Sequence, residues 1–123
     1  MVKLGHLSIP VTDPVRSRDW YVGHFGFRVE FEVPERATVA LQDDAGFTLF
    51  VVRESSPPPS PRCTFALEVE DVERTHRELT AVGVVFEKAP QKLFWGYGAE
   101  LCDPDGYLVS VWDERSMKEK GGG

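Results

Sequence analysis

The sequence predicts an α+β fold made of two βαβββ modules. Three observations carry that prediction: an internal repeat, a proline-rich break between its halves, and a switch from strand to helix periodicity inside each half. HLSIPVTDPVRSRDWYVGHFGF, from His6, and TFALEVEDVERTHRELTAVGVVF, from Thr64, share one layout. Each runs through alternating residues, an aspartate, a helical stretch, a glycine and an apolar restart. His6 aligns with Thr64, Ile9 with Leu67, Val11 with Val69 and Asp13 with Asp71. Gly26 aligns with Gly83 after one extra residue in the first helix. A later match sets AGFTLFVVR, from Ala45, beside DGYLVSVWD, from Asp105, pairing Gly46 with Gly106, Phe47 with Tyr107 and Phe50 with Ser110.

Each element follows from local chemistry. Leu7, Ile9 and Val11 alternate with His6, Ser8 and Pro10, the pattern of a half-buried strand. Asp13 is a good N-cap and Pro14 suits the first helical position. The helix then runs to about His24, and Gly26 supplies a left-handed stop. Strands follow at about 27–33, 37–42 and 46–53. In the second copy Phe65, Leu67 and Val69 alternate with Thr64, Ala66 and Glu68. Asp71 caps a helix whose Val72, Thr75, His76, Leu79 and Val82 form one stripe, ended by Gly83. Strands near 84–88, 97–102 and 107–113 complete the copy, with DPDG as the turn before the last.

The whole forms one domain, 1–113, divided into module one (1–54), a linker (55–62) and module two (63–113). SSPPPSPR, the linker, holds four prolines and is expected to be stiff and extended. The tail, 114–123, is polar, ends in three glycines, and is expected to be flexible.

Composition narrows the functional classes. Of 123 residues, 41% are hydrophobic and 11% aromatic, enough for a core without disulfides or a structural metal. The formal net charge of −6 argues against nucleic acid, whose binding rests on neutralising phosphates. No stretch approaches the ~20 apolar residues of a membrane span. The N-terminal residues enter alternation directly, without a leader-like apolar run, so a cytoplasmic location is expected. Cys63 and Cys102 form no metal- or redox-type pair and read as small buried strand residues, not reactive thiols.

GHLSIPVTDPVRSRDWYVGHFGF and DPDGYLVSVW together resemble the vicinal oxygen chelate superfamily, which includes glyoxalase I, extradiol dioxygenases and bleomycin-resistance proteins. The resemblance spans nearly all of residues 3–113. It implies that the modules form a curved mixed sheet half-enclosing a cavity, with helices outside, and that the chain pairs as a homodimer. His6 and Ser8, with Thr64, Ala66 and Glu68, would then face the cavity. Metal-dependent members place His, Gln or Glu ligands on four inner strands, and those positions here are His6, Phe50, Thr64 and Ser110. Only His6 is a competent ligand, because Phe50 has no donor and neutral hydroxyls are poor ligands for transition metals. The expectation is therefore no metal and no other cofactor. His24, at a helix end, and His76, within the second helix, do not repair the set.

Without a metal, glyoxalase-type chemistry loses its electrophile. The expected function is capture of a small organic molecule, aromatic or cationic, as in the drug-binding branch. His6, Phe50, Thr64, Ser110 and Trp112 would line the site, Glu68 and Glu100 would supply negative charge, and Trp95 and Tyr97 would form a stacking lid. KLFWGYGAE is read as the loop entering the last two strands, and Phe94 as an edge or seam residue. Two enzymatic alternatives stay open. One is a metal-dependent glyoxalase- or dioxygenase-like lyase or isomerase with ligands in another register. The other is a metal-free enzyme with His6 and Glu100 as its catalytic groups.

Overall fold

Alternation in HLSIPV and the Asp13-Pro14 pair behind it produce the first strand and helix where the pattern places them. The computed structural model describes residues 1–54 and 63–122, so the expected linker at 55–62 lies outside the described residues. The chain divides into two units, Met1–Arg62 and Cys63–Gly123.

The first unit contains β1 (His6–Val11), α1 (Pro14–Phe25), β2 (Arg28–Val33), β3 (Thr38–Gln42) and β4 (Thr48–Arg53). Its sheet order is β1-β4-β3-β2, with β1 parallel to β4 and the other pairs antiparallel. A parallel pair needs a long crossover, which α1 and the two following strands provide. Asp13 caps α1 by accepting from the Val15 and Arg16 N–H groups at 3.0 and 3.2 Å. Gly26, at φ 71°, ends it in the left-handed region as expected. Ile9, Val11, Tyr21, Leu41 and Val51 are almost wholly buried, and Leu7, read as inward with Ile9 and Val11, is half-buried.

The second unit repeats the plan with β5 (Phe65–Glu68), α2 (Val72–Ala81), β6 (Phe86–Leu93), β7 (Gly96–Cys102) and β8 (Leu108–Trp112). Its sheet order, β5-β8-β7-β6, reproduces the first, again with one parallel pair. Both units use the same aspartate turn before their last strand. Asp43 Oδ1 accepts from Ala45 and Phe47 N–H at 3.0 and 2.8 Å, and Asp103 Oδ1 accepts from Asp105 and Tyr107 N–H at 2.9 Å each. Gly46 and Gly106 follow at φ 88° and 87°, which is why glycine stands at both positions. The α+β class and the doubled βαβββ layout are thus present in the structure.

Cys63, expected to be a buried strand residue, is exposed and precedes β5. Three further local expectations change. The tail expected to be flexible forms a helix, α3 (Glu114–Lys120). Its cause is Asp113, which accepts from the Ser116 N–H at 2.6 Å and from the Ser116 hydroxyl at 3.0 Å, both buried. Second, β6 runs to Leu93, well past the expected 88, because register shifts around Lys88 absorb Ala89 and Pro90. KLFWGYGAE is therefore a hairpin turning at Phe94 and Trp95, not a loop. Third, Val82 leaves the helical stripe: it is the C-cap residue, outside helical geometry, and it is 68% exposed.

Candidate functional site

The pleat of β7 sorts its side chains. Ala99 and Leu101 are fully buried on one face, which sends Glu100 to the other. Register then sets Glu100 opposite Ser110 on β8 and opposite Lys88 on β6, with Ser110 opposite Ala66 on β5. One row thus crosses all four strands. Glu100 Oε2 accepts hydrogen bonds from the Ser110 hydroxyl and from the Trp95 indole N–H, each at 3.3 Å. Its other oxygen, Oε1, faces the Lys88 ammonium at 3.9 Å. The Glu100 side chain is only 11% exposed, whereas that of Lys88 is 52% exposed.

Trp95 holds its place because Gly98 has no side chain. A methyl group there would meet both the indole ring and the Val111 carbonyl. Around this ring lies a concavity of about 370 Å³ lined by Thr64, Ala66, Trp95, Ser110, Trp112 and Met117. Met117 comes from α3, the helix the sequence reading missed, and its thioether packs beside Gly96. Of the residues expected to line a site, Thr64, Trp95, Ser110 and Trp112 are therefore brought together, with Glu100 bonded beneath them.

Two expected neighbours are elsewhere. Tyr97 does not join Trp95 in a lid: two residues further along the strand, it reaches α2, where its hydroxyl donates to Glu73 Oε1 at 2.6 Å. Lys120 sits over the same ring at 5.0 Å. The Glu73 hydrogen bond, then burial, raise the Tyr97 pKa from its ordinary value to about 12. Glu68 is exposed and borders a separate groove of about 530 Å³ with Glu70, Glu114, Arg115 and Lys118. That groove is larger but walled mainly by charged side chains, so it offers less apolar surface to a ligand than the concavity at Trp95.

In the first unit His6 lies edge-on to Phe50, ring centroids 4.9 Å apart, and Phe31 lies 5.8 Å from Phe50. Phe31 was missed, although its register through Ala40 to Phe50 sets all three on one row. Lys88 was missed as well, because charged strand residues read as solvated. His24 is half-buried near Trp20 and His76 lies against Phe86, each as part of a helix, not of the open sheet face.

The sequence profile of the glyoxalase/bleomycin resistance protein/dioxygenase superfamily matches residues 3–111. The chain belongs to that superfamily. No curated protein sequence matches it significantly. Among solved structures it resembles a possible glyoxalase from Bacillus cereus, at TM-score 0.76 and 19% identity, over 90% of this chain and 98% of that one. It also resembles TnmS3, an antibiotic binding protein from Streptomyces sp. CB03234, at TM-score 0.74 and 27% identity, over 91% and 96%. A third similar structure is TioX from Micromonospora sp. ML1, at TM-score 0.69 and 26% identity, over 89% and 97%.

As a superfamily member the chain invites a test for metal. His6 and Phe50 sit on β1 and β4, Thr64 immediately precedes β5, and Ser110 lies on β8. Taken one by one, only the His6 imidazole is a competent ligand for a divalent ion; the others are two neutral hydroxyls and a phenyl ring. Among the described residues no three His, Cys, Asp or Glu side chains cluster as metal ligands. No helix among them is long and apolar enough to cross a membrane.

Proposed function

We propose that this superfamily member binds a small, flat organic molecule without a metal, in the manner of a drug-binding protein. The observation that carries the reading is the concavity flanked by Trp95 and Trp112, with the buried Glu100 carboxylate bonded to its Ser110 floor. At about 370 Å³ it falls within the range of small-molecule pockets, ~300–1,000 Å³. Indole faces supply area and stacking, and the carboxylate supplies direction. Likeness to an antibiotic binding protein at 27% identity supports the same reading. His6, Phe50 and Phe31 offer a second aromatic surface for ligand contact. The working form is a cytoplasmic homodimer, which sedimentation of purified protein checks.

Titration calorimetry and tryptophan fluorescence against flat aromatic antibiotics test the proposal. Saturable binding that Trp95→Ala and Trp112→Ala each weaken by about tenfold or more is expected. Absence of saturable binding across such compounds would overturn it. So would about one equivalent of Ni, Zn, Fe or Mn per chain in untagged protein, which favours a metalloenzyme.

A further inference from the structure

The Glu100 carboxylate is unevenly occupied. Oε2 takes two directed hydrogen bonds, from Trp95 and Ser110. Oε1 has the Lys88 ammonium at 3.9 Å, near the outer limit of an ion pair, on a side chain that is half in solvent. A pair with such geometry contributes little and is readily exchanged. A carboxylate placed mid-sheet and nearly hidden nevertheless needs a compensating charge or donor.

We propose that Lys88 holds the place of a cationic group on the ligand: a flat molecule stacked at Trp95 and Trp112 directs a positively charged N–H donor across the sheet to Glu100 Oε1 and displaces the lysine. This rests on the binding function proposed above and names its ligand class, a planar aromatic cation. Glu100 and Lys88 do not line the concavity itself but follow it along one row of the sheet. Ser110, at the concavity, and Glu100 are direct partners on adjacent strands, one spacing of ~4.8 Å apart. Lys88 is the next residue along the same row. The lysine also acts as a filter: a neutral ligand gains nothing by moving it, so only a ligand that replaces its charge does so.

Three tricyclic probes of similar outline separate the outcomes: proflavine, a cation; acridone, neutral; and acridine-9-carboxylate, an anion. Proflavine is expected to bind about tenfold more tightly than acridone, and to lose that advantage in Glu100→Gln. Lys88→Ala, a substitution at an exposed side chain, is expected to tighten proflavine about 3–10-fold and leave acridone unchanged. Acridone binding that equals proflavine binding and depends on Trp95 would keep the binding function and overturn the cation inference. Weaker proflavine binding in Lys88→Ala, or a preference for the carboxylate probe, would overturn it too. If no probe binds, both readings fall. Circular dichroism on Glu100→Gln checks its folding, and Lys88→Ala decides the matter if that variant does not fold.

Discussion

The two units share a strand order, a parallel pair, an aspartate turn and a glycine after it, yet their open faces carry different chemistry. At equivalent rows the first unit presents Ser8, Phe50, Ala40 and Phe31, while the second presents Ala66, Ser110, Glu100 and Lys88. One row is aromatic and the other is a hydrogen-bonded polar knot. Helix capping diverges too. Each first helix has its own aspartate, Asp13 or Asp71, but only α2 gains a second cap, from Asp113 Oδ2 to the Val72 N–H at 2.7 Å. The equivalent position in the first unit is Arg53, which is exposed. The difference shows which residues build the fold. Val39, Leu41, Leu49 and Val51 in one sheet, and Ala99, Leu101, Val109 and Val111 in the other, are buried on the opposite face. Burial fixes them, and it leaves the open faces free to specialise.

The largest effect is expected at Gly98. Gly98→Ala drives a methyl into the Trp95 ring and the Val111 carbonyl, costing about 3 kcal/mol in denaturant unfolding and disturbing Trp95 fluorescence. At Thr38, its counterpart, a side chain is already accommodated, so Thr38→Ala should stay within about 1 kcal/mol. Equal losses at both would erase the contrast.

Asp113→Ala comes next, at about 2 kcal/mol, because it strips one cap from α2 and one from α3 together. Asp13→Ala should cost about half that. Burial pushes the Asp113 carboxyl upward, but the Val72 and Ser116 donors and the Arg115 charge together outweigh it, and the pKa lies below its ordinary value. A depressed carboxyl stabilises fully above the unfolded value of about 3.9, and that contribution disappears as pH falls through the folded value. Acid unfolding should therefore be blunted in Asp113→Asn, which has no proton to take up there.

Tyr97→Phe should cost about 1 kcal/mol by freeing Glu73. Spectrophotometric titration, compared with Tyr97→Phe, should find Tyr97 ionising near pH 12, returning toward about 10 in Glu73→Gln. Because the folded pKa is raised, this stabilisation is complete below about pH 10 and is lost as pH rises through about 12. The first unit has Ala37 at the matching place and so has no such hydroxyl–carboxylate bond to lose there. Ser110→Ala is expected to have the smallest effect, about 0.5–1 kcal/mol, since Trp95 still donates to Glu100. An unchanged Tm there would mean that solvent already competes for the carboxylate.

Much of this architecture was legible in the chain. Asp13, Asp71, Gly26 and the paired Gly46 and Gly106 act locally, within a few residues of their partners, so sequence pattern alone located them. Alternation along a strand also assigned faces correctly at Ile9 and Val11. The helix from Glu114 was readable as well, since Asp113 stands three residues before Ser116 in an N-cap relation; the terminal glycines outweighed that signal.

What the sequence by itself determined is therefore the doubled module, its caps and turns, and the alternation that leaves each sheet an open face. Tertiary structure alone decided which residues on that face meet. Trp95 and Tyr97 are close in sequence, yet one bonds Glu100 and the other bonds Glu73 on a helix. Lys88 reaches Glu100 only because β6 shifts register around it. The physical reason is that a period of two assigns a side chain to a face, whereas its neighbours there depend on strand register, bulges and non-local hydrogen bonds.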